Sequence, residues 1–168
     1  MILAFAGVAA FFCIFYSGGI FRLSYRGLGE LIIGIMFGPL SMMGIFFVAT
    51  GEFSIILTII SFAIGLLVSN IIYTHSILDV DADREVNKMT MAVLIGNKKT
   101  MLAVSFLMNF LPFIIIITGV VLNILAIYYL FVLLALPMAI SLFYLLIQFH
   151  KNPQKEFSPR FWMGPFEK

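Results

Sequence analysis

The chain is poor in charge. Only 11% of its 168 residues are Asp, Glu, Lys or Arg, while 62% are hydrophobic. A soluble domain carries about 25% charged residues, and a fold of this length has too little interior to hide so much apolar surface. A soluble globular domain is excluded, and a lipid bilayer must cover part of the chain, in keeping with a mean hydropathy of +1.13. Cysteine is scarcer still. Cys13 is alone, so no internal disulfide can form, and it reads as a small apolar residue packed in a helix. Excess positive charge is lacking too: the net charge of +2 gives a nucleic-acid partner no footing.

What charge there is divides the chain. Residues 1–21, 31–51, 53–78 and 100–149 carry none. A spanning helix needs about 20 apolar residues, so the first three runs supply one helix each and the fourth supplies two, split by a turn near Gly119 to Asn123. The expected fold is all-α, a polytopic transmembrane helix bundle forming a single domain. Its spans fall near residues 2–17, 31–50, 54–77, 101–121 and 124–148. Pro39, Pro112 and Pro137 lie inside spans, where packed neighbours satisfy the freed backbone groups. Every basic residue lies in the loop 18–30 (Arg22, Arg26), the loop 78–100 (Arg84, Lys88, Lys98, Lys99) or the tail 150–168 (Lys151, Lys155, Arg160, Lys168). Basic residues gather on the cytoplasmic side, so these segments are expected to face the cytoplasm, with the N-terminus outside. A first helix that enters from outside with no basic segment before it, and a tail that stops after the aromatic patch FSPRFWMGPFEK, are expected of a piece of a larger chain or a shortened gene product.

The densest polar stretch runs from His75 through Asp79, Asp81, Asp83, Arg84, Glu85, Asn87 and Lys88 to Thr90. If the helix before it continues, residues four apart stack on one side. His75, Asp79, Asp83 and Asn87 then form one stripe. Asp81 and Glu85 form another, with Arg84 and Lys88 close enough to neutralise them. Two carboxylates on a stripe without a base repel each other unless a cation or a base from elsewhere sits there. An ordinary solvated loop is the plain alternative. A calcium loop does not fit, because Arg84 stands where glycine is needed and Thr90 where a bidentate glutamate is needed. Mg²⁺ fits better, since it takes one or two carboxylates, waters and substrate phosphate oxygens. Asn70, inside a span, needs a partner there and is expected to form an interhelical hydrogen bond.

The run Asp79-x-x-x-Asp83-x-x-x-Asn87-Lys88-x-Thr90, continuing into Ala92-Val93-Leu94-Ile95-Gly96, resembles the second aspartate motif of the UbiA-type intramembrane prenyltransferases. The first loop strengthens the likeness. Phe15-Tyr16-Ser17-Gly18-Gly19, Leu23-Ser24-Tyr25-Arg26-Gly27-Leu28-Gly29-Glu30 and then Phe37-Gly38-Pro39 are similar to the 1,4-dihydroxy-2-naphthoate polyprenyltransferase branch, which serves menaquinone biosynthesis. That family has nine spans, and the five here would correspond to its fourth to eighth.

The resemblance implies a transferase that moves a polyprenyl group from its diphosphate to an aromatic acceptor. Two aspartate motifs hold Mg²⁺ against the diphosphate, and the ring attacks the allylic cation left by the departing pyrophosphate. Asp79 and Asp83 would be the catalytic and metal residues and Lys88 a phosphate contact. Arg84 would act likewise or simply pair with Asp81. Tyr25 and Glu30 would line the acceptor side or fix their loop, Glu30 also being favoured at a helix N-terminus by the dipole. His75, one turn before Asp79, would hydrogen-bond it or be a plain interfacial residue. Three departures stand against this. The first motif, Asn-Asp-x-x-Asp, does not occur in these residues, no last span follows Lys168, and His75-Ser76-Ile77-Leu78 replaces the family's Asn-Asn-x-Arg. With one carboxylate pair the isolated chain is expected to be inactive. The competing class is a shortened non-enzymatic membrane paralogue that binds lipid or a partner protein. Acceptor, prenyl length and oligomeric state are not fixed by the sequence.

Overall fold

The computed structural model describes residues 2–18 and 21–151. Gly19 and the aromatic patch of the tail lie outside the described residues. We number the helices α1 (Ile2–Ser17), α2 (Gly29–Thr50), α3 (Ile55–Leu78), α4 (Val80–Glu85), α5 (Met91–Ile95), α6 (Lys98–Val121) and α7 (Ile127–Lys151). Four of them, α2, α3, α6 and α7, are long and apolar enough to cross a membrane, and α1 is a shorter apolar helix. At a rise of about 1.5 Å per residue, the 24 residues of α3 exceed a hydrocarbon core of about 30 Å. The protein is an integral membrane protein of helical, polytopic fold.

Helix boundaries follow local chemistry. Ser54 caps α3 by accepting from the Leu57 amide at 3.3 Å. Asn97 caps α6 through the Lys99 amide at 2.9 Å. Residues 119–125 break the long apolar run. Asn123 takes a left-handed φ of 56°, and the amides of Ile124 and Leu125 return to the Gly119 carbonyl at 3.0 and 2.9 Å. Beyond it, the expected regular helix opens instead as a 3-10 segment, Ile127–Ala135. Pro137 sits at the changeover without an N–H for the α ladder. In α2 the residues Met36–Leu40 form a π turn around Pro39. The Ser41 hydroxyl and backbone amide both donate to the Met36 carbonyl, the i to i+5 contact of this turn.

Helix α3 is the centre of the bundle. Towards α2 it packs backbone on backbone. A Cβ added at Gly38 would lie 2.5 Å from the Ser61 carbonyl oxygen and 2.7 Å from the Gly65 Cα, and one at Gly65 would lie 2.6 Å from the Gly34 carbonyl oxygen. Small residues let membrane helices approach this closely, which is how they gain van der Waals contact without a hydrophobic drive. Towards α6 it packs through side chains, with Tyr73, Ile77, Ala92, Met101 and Leu146 in one buried cluster. The expected partner for Asn70 is present: its amide donates to the Asn109 side chain at 3.5 Å and accepts from Ser105 at 3.2 Å.

Candidate functional site

The polar end of α3 does not run on as one straight helix. Asp79 has φ −99° and ψ 12°, a break between α3 and α4, although its amide still bonds the His75 carbonyl at 2.9 Å and the Asp83 amide bonds the Asp79 carbonyl at 2.8 Å. After α4, Asn87 turns left-handed with φ 55°, a conformation asparagine tolerates. The chain folds back, and the Lys88 amide meets the Asp83 carbonyl at 2.8 Å. The expected stripe therefore ends at Asp83, and Asn87 is in the turn.

This reversal decides the ion pairs. Lys88 Nζ lies 3.0 Å from Asp83 Oδ1, so Lys88 neutralises the Asp83 stripe and not the Asp81–Glu85 side assigned to it above. Asp83 is 8% exposed, whereas Asp79 is open to the surface. Buried charges require such a partner. Arg84 pairs with Asp81 at 3.6 Å, with side chains 56% and 91% exposed, a contact of little energetic weight.

The first loop is fastened to this segment. Arg26 and Met89 form a parallel β-bridge, which ties the first loop to the residue after Lys88. Gly27 takes a φ of 73°, a left-handed conformation that glycine adopts without strain, beside the Leu94 side chain. Glu30, in the first turn of α2, is only 1% exposed. Its Oε1 accepts from Ser76 Oγ at 2.8 Å and from the Met91 amide at 3.2 Å, while Ser69 Oγ donates to its carbonyl at 2.9 Å. One carboxylate thus ties α2, α3 and the start of α5 together. Thr90 caps α5 by accepting from the Val93 amide at 3.5 Å. The geometry makes Glu30 the residue that fixes the loop. Tyr25 ends a 3-10 turn, Leu23–Tyr25, and is exposed.

Sequence reading missed Ser76, the Met91 amide and Arg26 as members of this corner. One signal for the seam was available: Ser61, Gly65 and Ser69 at four-residue spacing match Gly34 and Gly38 on α2. Among the described residues no group of three or more His, Cys, Asp or Glu could hold a metal ion. Asp83 keeps one oxygen free of Lys88 and Asp79 is accessible, so the two side chains fit a Mg²⁺ ion only together with ligands from elsewhere and form no cage of their own.

A bundle of apolar helices with a carboxylate pair at one end, held against a second loop, defines an intramembrane protein with a polar site at its mouth. The chain belongs to the UbiA prenyltransferase family, which it matches over residues 1–164. It is 33% identical over 107 residues to 1,4-dihydroxy-2-naphthoate octaprenyltransferase of Bacillus subtilis, covering 62% of this chain and 34% of that one. It is 31% identical over 156 residues to 2-carboxy-1,4-naphthoquinone phytyltransferase of Synechocystis, covering 92% and 50%. UbiA prenyltransferase domain-containing protein 1 of Homo sapiens is 33% identical over 100 residues, covering 60% and 29%. The chain thus spans about half or less of the length of these curated relatives. No solved structure matches it.

Proposed function

We propose that these residues form the second-motif half of a Mg²⁺-dependent prenyltransferase that moves a polyprenyl group from its diphosphate to an aromatic ring, that of 1,4-dihydroxy-2-naphthoate. The observation that carries this reading is the fastened pair of loops. Asp83 is held by Lys88 on a segment that Glu30 bolts to α2 and α3. Both loops carry the residues that resemble the family, and two named relatives act on naphthoate-type rings.

In this reading Asp79 and Asp83 would hold Mg²⁺, which supplies charge neutralisation for the departing pyrophosphate. Lys88 moves from Asp83 to a phosphate oxygen as negative charge develops there. The allylic C–O bond breaks with its electron pair leaving on pyrophosphate, a ring carbon of the acceptor forms the new C–C bond, and the ring then loses a proton. Arg84, tied to Asp81 on the surface, has a lesser part. Tyr25 and Glu30 serve the first loop, Glu30 by position. The loops face the cytoplasm, as the basic residues direct. The first aspartate motif, which does not occur in these 168 residues, completes the site.

The test is prenyl transfer in membranes with radiolabelled polyprenyl diphosphate, Mg²⁺ and dihydroxynaphthoate. It compares the 168-residue chain, the gene extended upstream in frame, and the extended form carrying Asp83→Ala. Product from the extended form alone, lost in the variant, is the expected result. No product from any form, with other aromatic acceptors also failing, would favour a non-enzymatic membrane protein.

A further inference from the structure

We propose that the corner where α6 begins and α7 ends binds an anionic phospholipid, its headgroup on the lysines and an acyl chain on the phenylalanines below. The proposal stands apart from the enzymatic reading and holds whether or not the chain transfers a prenyl group.

Charge at this corner is of one sign. No acidic residue occurs between Glu85 and Glu156. Lys98 and Lys99 open α6, Lys151 closes α7, and all three are exposed. Packing brings the two helix ends together. Met101 and Leu146 share one buried cluster, with Lys98 one turn before the first and His150 one turn after the second. The charge of Lys98 accordingly reaches the His150 ring. Among the described residues the ion pairs of basic side chains are those of Arg84 and Lys88, so these three lysines have no acidic partner there. Lys98 and Lys99 also stand at the positive end of the α6 dipole, where a cation is disfavoured. An anion seated at this corner offsets both.

Lysines at the ends of spans commonly reach for interfacial water, so charge alone does not select a lipid. The surface below selects it. Ala103 and Phe106 follow Lys99 by four and seven residues, on the same side of α6, and both are exposed. Phe106 meets Phe110 and Phe143 at ring-centroid separations of 4.7 and 5.4 Å, so the three rings form one patch across α6 and α7. The small Ala103 leaves a shallow step between the amine and the rings. Seven residues rise about 10 Å along the axis, more than the headgroup layer of about 5–8 Å on each side of the hydrocarbon. With the lysines at phosphate depth, the rings therefore lie among acyl chains. A soluble anion would use the lysines alone, whereas a phospholipid uses both.

The experiment reads tryptophan quenching in reconstituted membranes of phosphatidylglycerol and phosphatidylcholine, with the chains of one lipid or the other brominated. The full chain carries Trp162→Phe, which removes its one tryptophan, and Phe106→Trp as the reporter. Each lysine near a membrane surface is worth about fivefold in affinity for anionic lipid, so phosphatidylglycerol should be favoured at the reporter by about fivefold or more. Adding Lys98→Gln, Lys99→Gln and Lys151→Gln should bring that preference within about twofold of unity. With Ile45→Trp as the reporter instead, on the exposed face of α2, neither lipid should be preferred. Equal quenching by both lipids at Phe106→Trp, or a preference that survives loss of the lysines, overturns the site. Weak quenching by both overturns it too, because protein from a second copy or a partner would then cover the face.

Discussion

The two faces of α3 are built on opposite plans. Towards α2, glycines bring backbones into contact and one buried carboxylate locks the end of the seam. Towards α6 and α7, asparagine and serine side chains bridge the helices and leave a cavity of about 200 Å³. The first face has no room for anything to bind. The second joins its helices through single side-chain hydrogen bonds. One helix therefore packs by backbone contact on one side and by side-chain contact on the other, and the carboxylate pair follows at its end.

Substitutions should separate these faces. The largest effect is expected at the glycine seam. Gly38→Leu drives a side chain into the Ser61 and Gly65 backbone, which cannot yield as a flexible side chain would, and should cost more than the usual overpacking penalty of about 1–3 kcal/mol. The check is the yield and melting temperature of the protein in detergent. Wild-type stability would show that the seam is looser than described.

Next comes the bolt. Glu30→Leu strands the Met91 amide and leaves Ser76 only the Ile72 carbonyl as acceptor, for an expected loss of about 2–3 kcal/mol. Glu30→Gln keeps an acceptor oxygen and should lose less than half of that. Unfolding titrations in mixed micelles measure both, and equal losses would mean that charge, not hydrogen bonding, matters at this position.

Smaller effects are expected on the open face. Asn70→Ala and Asn109→Ala each remove an interhelical bond, with a coupling of about 0.6–1.7 kcal/mol by double-mutant cycle. Strict additivity would deny the bond. Smallest of all, Arg84→Ala should shift stability by under about 0.5 kcal/mol, because its partner Asp81 is solvated; a larger loss would reveal a role beyond that contact.

The bilayer-spanning character and the helix positions were legible because they depend on runs of neighbouring residues. The apolar segments 31–50 and 54–77 became Gly29–Thr50 and Ile55–Leu78, for hydrophobic length is a local property. Asn70 was legible too, since a polar group inside a span must find a partner. Lys88 was misassigned because an ideal helix places it near Glu85 and Arg84, whereas the left-handed Asn87 turns it back to Asp83. The 3-10 opening of α7 was likewise hidden in a uniformly apolar run.

The amino-acid sequence alone determined the helical membrane architecture, the separation of basic charge into two loops and a tail, and the carboxylate pair at the end of α3. Each follows from residues a few positions apart, where helical periodicity and apolar run length act. Only the tertiary structure decided that Glu30 is a buried tie and that Asn70 meets Asn109. The partners of Glu30 stand 46 and 61 residues further along the chain, and Asn109 lies 39 residues beyond Asn70. Contacts at that separation are set by how the helices pack, which here depends on where glycine lets two backbones touch.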